Sequence, residues 1–429
     1  MNSTTHINTK SIAPKSKALR IALLGYRSDP FVGGQGIYLH YLSRALTEQG
    51  HHLTVFSGPP YPVLDKGIRL IKVPSLDLYA KEKPLRSLRL KHLLSFTDLY
   101  EWWSKLSGSF AEPYCFGRRI NKLIHAGDFD IVHDNQSLAS ALLNLEKKGL
   151  KVVSTIHHPI HRDRDIALAE TDDKGWRTLI KRWYSFLSMQ EKVALKLKHI
   201  ITVSQQSQED INTFFQRPHK QTKVIFNGVD TELFKPGAEQ NSVQLQTAPS
   251  LLVTSSSDQA LKGIKSLFEA LALLVKNFPS LTLHMVGELK KGGANEKLLN
   301  TLQLQNHIIF HQRLSTEELV QLYNQSTVVV CPSIYEGFGL PAAEAMACGR
   351  AIVSSDGGAL PEVIGQAGLI YKAGDSPALA KSIKRLLQDQ ELRTQLEKKA
   401  RLRAVSTFSW QQVAHELNHY YQHQVMALD

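Results

Sequence analysis

Residues 326–349 read STVVVCPSIYEGFGLPAAEAMACG. The apolar run Val328–Cys331 suits a strand buried on both faces, and the alanine-rich stretch after Pro341 suits a buried helix. Pro341 fits the first helical turn, where its missing N–H costs no hydrogen bond, and Gly349 fits the helix C-cap. The turn between strand and helix carries Gly337 and Gly339, which let backbone N–H groups approach a ligand unobstructed by Cβ. A helix N-terminus favours anions, phosphate among them. Glu336 enters this turn and Glu344 lies one helical turn beyond it. An ionised carboxylate only accepts hydrogen bonds and can take two neighbouring sugar hydroxyls. Two polyols flanking an anionic group have the outline of a nucleotide sugar.

Working outward, the same strand-turn unit recurs. LRIALLGY (19–26), HHLTVFSG (51–58), FDIVHDNQ (129–136), LKVVSTIHH (150–158) and HIITVSQQ (199–206) are apolar runs ending in polar loops. PSLLVTSSS (249–257), LTLHMVGE (281–288), HIIFHQR (307–313) and RAIVSSDGG (350–358) form a second series. Helical patterns lie between them, from about Ile37 to Gln49, over 264–278, and over 315–325 with Ser315 and Glu318 spaced as a capping box. Alternation of this kind predicts parallel βαβ units, hence an α/β protein of two Rossmann-like doubly wound domains. The polar, helix-poor end of VIFNGVDTELFKPGAEQNSVQLQTAPS (224–250) reads as the linker. The expected division is a disordered tail 1–17, domains 18–234 and 250–405, a linker 235–249 and a terminal segment 406–429. Ligands of such folds bind at the carboxyl ends of strands, so an interdomain cleft is expected.

The 429 residues suffice for two cores, and 42% apolar with 21% charged residues is ordinary for a globular protein. No apolar run approaches the ~20 residues of a spanning helix, and the polar, basic start lacks a signal-peptide core. Three cysteines match no zinc spacing and make no disulfide framework, so a cytoplasmic location is expected. Residues 1–235 hold 34 Lys+Arg against 22 Asp+Glu, so the whole net charge of +12 sits in the first half. That asymmetry suits an anionic membrane surface, an acidic substrate or plain solubility. Residues 81–106, KEKPLRSLRLKHLLSFTDLYEWWSKL, combine basic side chains with leucines and Trp102–Trp103, which read either as a peripheral membrane contact or as a helix packed on its domain.

The Glu336–Glu344 spacing, with GFGLPAA between, resembles the retaining GT-B glycosyltransferases, especially family-4 enzymes. The likeness spans nearly the whole chain after the tail. It implies a metal-independent hexosyltransferase without cofactor, using a nucleotide-diphosphate sugar. UDP-glucose is favoured over GDP-mannose, and the acceptor is a glycan, lipid or small molecule rather than a nucleic acid. By the same resemblance Gly33, Gly34, Gln35 and Gly36 form the donor-facing glycine loop. Lys262 and Gly263 meet the diphosphate, with Gly337, Phe338, Gly339 and Leu340 around it. Glu344 holds the ribose, and His157 lies beside the transferred sugar with Glu336, ahead of His158 or His161. GALPEV (358–363) resembles a loop near the nucleotide, FNGVDTELFKP (226–236) the domain hinge, and FSWQQVAHELNHYY (408–421) a last helix that crosses back to the first domain.

One position departs from the pattern. Family members usually carry an arginine five residues ahead of the lysine, where this chain has Ser257, which replaces neither its charge nor its fork of donors. Asp128–Asp130 imitates the Asp-x-Asp of metal-dependent transferases but precedes its strand, away from the ligand end, and reads as a turn. A sugar-nucleotide epimerase or hydrolase of the same fold is the alternative, and a non-catalytic polyanion binder the more distant one.

Overall fold

A computed structural model describes residues 17–30, 34–80, 88–169, 171–237, 248–254 and 259–427. Two parallel sheets form the frame. The first contains β1 (Arg20–Gly25), β2 (His52–Ser57), β3 (Arg69–Lys72), β4 (Ile131–Asn135), β5 (Lys151–Ile156), β6 (His199–Thr202) and β7 (Thr222–Val224), in the order 3-2-1-4-5-6-7. The second contains β8 (Ser250–Thr254), β9 (Thr282–Val286), β10 (Ile308–His311), β11 (Val328–Cys331), β12 (Ile352–Ser355) and β13 (Leu369–Tyr371), in the order 10-9-8-11-12-13. Both are doubly wound, and each reverses direction once, between β1 and β4 and between β8 and β11. Those reversals are where such folds open a crevice.

The central strands are continuous apolar runs because helices cover both faces. Ile131–Asn135 and Val328–Cys331 are buried at every position. The helix Thr316–Gln325 begins with the expected capping box: Glu318 N donates to Ser315 Oγ at 3.2 Å and Ser315 N to Glu318 Oε2 at 2.7 Å. Asp128–Asp130 lies in the turn before β4, where Asp130 pairs with Arg20 at 3.0 Å.

The chain crosses between domains twice. Gly228 has no room for a side chain, since a Cβ there would lie 2.2 Å from the Trp410 ring. Arg401 Nη1 donates to the carbonyls of Thr231, Phe234 and Ala347, clamping the hinge to the second domain. The helix Gln390–Phe408 then breaks at Ser409, and Trp410–Tyr420 returns to the first domain. There Trp410, Val413, Leu417 and Tyr421 join the core of Leu19, Ile21 and Leu42. Most of the tail and linker lies outside the described residues. No helix among the described residues is long and apolar enough to cross a membrane.

Candidate active site

The two topological reversals face each other across a cavity of about 310 Å³. From the second domain come Lys262 and the turn Glu336–Leu340; from the first come Gly34, Gln35, Gln136 and His157. Residues separated by more than 300 positions therefore meet in one cleft, as the strand-end reading requires.

The second-domain side is built on backbone constraint. Gly263 (φ +65°) lies where a Cβ would sit 1.9 Å from the Pro332 carbonyl oxygen. This close approach joins the turn after β8 to the turn after β11, reinforced by Ile334 N donating to Leu261 O at 2.7 Å. Lys262 Nζ consequently reaches Glu336 Oε1 at 2.8 Å, and Ser333 Oγ donates to the same oxygen at 2.7 Å. Gly339 (φ +93°) caps the helix Leu340–Ala347, with Pro341 in its first turn. The lysine, the positive N-terminal end of that helix and the Glu336 carboxylate give a cationic cradle with an adjacent acceptor of hydroxyl hydrogens.

Glu344 is not among the residues lining this cavity; the Tyr323 hydroxyl donates to its Oε2 at 2.9 Å. Burial pushes its carboxyl up to about 7, and the Tyr323 hydrogen bond opposes that shift only in part. Phe338 is buried against Phe226 and Phe408, so it supports the turn from behind. Gly263 likewise acts through the backbone.

On the first-domain side the helix Gly34–Glu48 starts three residues earlier than its apolar pattern indicates, so Gly34, Gln35 and Gly36 are its first turn. A Cβ on Gly36 would lie 1.9 Å from Asp29 O, which explains the glycine by packing. Gly33 lies outside the described residues. Asn135 Nδ2 donates to Gln35 O at 3.1 Å, which leaves Asn135 Oδ1 to receive His157 Nε2 at 2.7 Å. His157 N also donates to Gln136 Oε1 at 2.6 Å. Burial, then the neighbouring His158 and His133, push the His157 pKa down to about 3. The ring is thus neutral, hydrogen on Nε2, with Nδ1 able to accept a hydrogen bond. His158 pairs with Asp163 at 3.2 Å, and His161 with Glu191 at 2.7 Å.

Several groups at the site escaped sequence reasoning. Arg162 borders the same cavity, holds Asp210 at 2.6 Å and stacks over Tyr335 at 4.5 Å. Ser204 Oγ and Ser207 Oγ donate to Gly337 O at 2.6 and 3.1 Å, and Ser207 Oγ also reaches His157 O at 2.9 Å. Glu362, in the GALPEV stretch, accepts from Gln205 N and Gln206 N, capping a first-domain helix from the opposite domain. The polar ends DNQ and SQQ of the quoted strands were the available signal for some of them. Ser257 lies outside the described residues. Among the described residues no group of three or more His, Cys, Asp or Glu is arranged to hold a metal ion.

Comparison with known proteins agrees with this construction. Residues 32–233 match the model described as Glycosyltransferase Family 4, and residues 238–403 match Glycosyl transferases group 1. An MMP alpha-(1->4)-mannosyltransferase of Mycolicibacterium hassiacum is 42% identical over 405 residues, covering 92% of this chain and 96% of that one. Among solved structures, sucrose-phosphate synthase of Thermosynechococcus elongatus has a TM-score of 0.68 at 22% identity, covering 95% of this chain and 100% of that one. Anabaena HepE in complex with UDP has a TM-score of 0.69 at 17% identity, covering 94% and 100%. The last two likenesses concern the fold alone.

Proposed function

This chain belongs to the glycosyl transferases group 1 family and is a glycosyltransferase of GT-B fold; on that premise we propose that it moves a hexosyl group, with retention, from a nucleotide-diphosphate sugar to an acceptor hydroxyl. The observation that carries the reading is the 2.8 Å pairing of Lys262 with Glu336 beside the N-terminus of the helix Leu340–Ala347. The bond from the anomeric carbon to the diphosphate breaks as the acceptor oxygen bonds to that carbon. The acceptor proton passes to the departing phosphate oxygen. Lys262 and the positive end of the helix dipole stabilise the growing negative charge, the kind of assistance that acts most in the transition state. Glu336 and His157 Nδ1 hold the sugar hydroxyls. Because His157 is neutral, it orients and does not donate a proton.

The sugar we favour is mannose, from GDP-mannose, rather than glucose. The 42% identical relative bears a mannosyltransferase name, whereas the UDP-bound neighbour shares only 17% identity. No metal is assigned a step. Incubation with UDP-glucose, GDP-mannose and related donors, followed by NMR of the first-formed product, tests donor and stereochemistry together. Inverted product, or free sugar with no transfer to any acceptor, would overturn the reading.

Peripheral contact with an anionic membrane, at a cytoplasmic face, is a further part of the proposal. Leu90, Leu94, Phe96 and Trp103 are 85%, 94%, 62% and 57% exposed beside Arg89, Lys91 and Lys105. Residues 81–87 of that basic stretch lie outside the described residues. Cosedimentation with anionic but not neutral vesicles is expected; binding to neither, or equally to both, would remove this contact.

A further inference from the structure

Beside the donor cleft lies a second cavity of about 340 Å³, the size of small-ligand pockets. Part of its wall is aromatic, from Tyr26, Phe110, Trp183, Tyr184 and Phe186, and part is aliphatic, from Ile160, Ile166 and Leu261. These rings come from three separate segments, the end of β1, the stretch before the helix Glu112–Leu123, and the end of the helix Lys174–Trp183. Phe110 joins them. Its ring lies 5.3 Å from Trp183 at an interplanar angle of 26°, 5.3 Å from Phe186 and 6.4 Å from Tyr26. Yet all five rings remain partly exposed, whereas an aromatic cluster serving only as core would be buried. The two cavities are neighbours, sharing Asp163, Gln259 and Leu261 in their walls.

Aromatic plates with polar groups at one end suit a pyranose ring. The C–H bonds on one face of such a ring are apolar and slightly positive, and the face of an aromatic ring is negative. The hydroxyl rim needs acceptors and donors, which Asp163 and Gln259 supply. An alkyl chain has no use for that rim, and an anionic group would be opposed by the Asp163 carboxylate. Asp163 sits at the junction with the donor cleft, 3.2 Å from His158 Nε2.

We propose that this cavity is the acceptor subsite and takes a neutral oligosaccharide, with sugar rings against Phe110 and Trp183 and the hydroxyl next to the reacting one on Asp163. The assignment rests on the transferase reading for the direction of transfer, not for the binding itself. It carries a consequence. Gln259 and Leu261 are on the turn that presents Lys262, so one segment walls both cavities. Nucleotide and oligosaccharide should therefore strengthen each other's binding, and linkage makes the effect reciprocal.

Titration calorimetry of the full chain with an α-linked mannotetraose and with maltotetraose, each with and without saturating GDP or UDP, tests this. At least one tetraose should bind, several-fold tighter with the nucleotide it goes with. Trp183→Ala and Phe110→Ala should weaken it at least tenfold while leaving the nucleotide affinity of the folded protein near wild type. Ala167→Trp fills the cavity from the helix His161–Ala169 and should abolish tetraose binding even if the truncations fail to fold. Unchanged affinity in these variants, or a wild-type protein that binds nucleotide but neither tetraose, would overturn the assignment. Tetraose binding lost in the variants, in a protein that ignores every nucleotide, would support the subsite and sink the transferase reading instead.

Discussion

The two halves of the molecule share a topology and divide the work differently. In the second domain the site is made by backbone: Gly263, Gly339 and Pro341 hold positions where few other residues fit, and the charged groups follow from them. In the first domain the site is made by side chains on the connections between strands, such as Arg162 and the aromatic group around Phe110. Constraint of the first kind leaves a compact sequence pattern. The second kind depends on which long segment folds over which strand end.

The largest expected effect sharpens that contrast. Lys262→Ala should lower kcat/KM by at least ~100-fold, the scale for removing one stabiliser of developing charge. Arg162→Ala, from the side-chain-built half, should cost less, since its guanidinium is already committed to Asp210 at 2.6 Å. Steady-state kinetics with the cognate donor decides the order. If the arginine variant proved the worse of the two, the diphosphate would be gripped from the first domain.

Backbone constraint can be broken directly. Gly263→Ala would force a Cβ to within 1.9 Å of a carbonyl oxygen at φ +65°, and should lower stability by more than ~1–3 kcal/mol, the scale for a strained residue alone. Gly34→Ala meets nothing within 4 Å and should change the unfolding midpoint little. Denaturant unfolding of the pair measures the difference; similar losses would mean that the close approach at Gly263 is not what constrains its turn.

The two glutamates should separate kinetically. Glu336, beside Lys262 in the cleft, should affect mainly kcat when replaced by alanine, with Glu336→Gln recovering part of the loss. Glu344→Ala should mainly raise donor KM, the signature of binding felt equally in ground and transition states. Glu344 also yields a pH prediction. Its folded pKa of about 7 lies above the ordinary carboxylate value, so the folded state holds its proton more tightly than the unfolded chain does. Its favourable contribution is complete below the unfolded pKa and is lost as pH rises toward about 7. Glu344→Gln should therefore raise the melting temperature relative to wild type at pH 8 more than at pH 5. An equal shift at both pH values would mean that its carboxyl is not raised. The smallest effect expected is that of chelator: turnover should persist in excess EDTA, and loss restored by magnesium or manganese would contradict it.

Most of the frame was legible because the central strands are unbroken apolar runs bounded by polar loops. The strands β3, β7 and β13 were not, since they are short edge strands with exposed positions and so carry no such run. The turn around Glu336 could be read because glycine and proline have few alternative uses there, whereas Lys262 and the return of the last helix were implied by the family resemblance. The early start of the first helix was missed because Gly34 and Gly36 lower helix propensity while tertiary packing overrides it. The burial of Glu344 against Tyr323 and the partners of His157 depend on which strand ends become neighbours, and no local pattern encodes that.

The central claim, that turns of the second domain grip the diphosphate, is tested most directly by amide hydrogen exchange with and without saturating nucleoside diphosphate. The account predicts that protection appears first at residues 337–342 and 263–265, with a weaker echo at the start of the helix Gly34–Glu48. Protection confined to the first domain, with the turn Glu336–Leu340 exchanging as before, would contradict it.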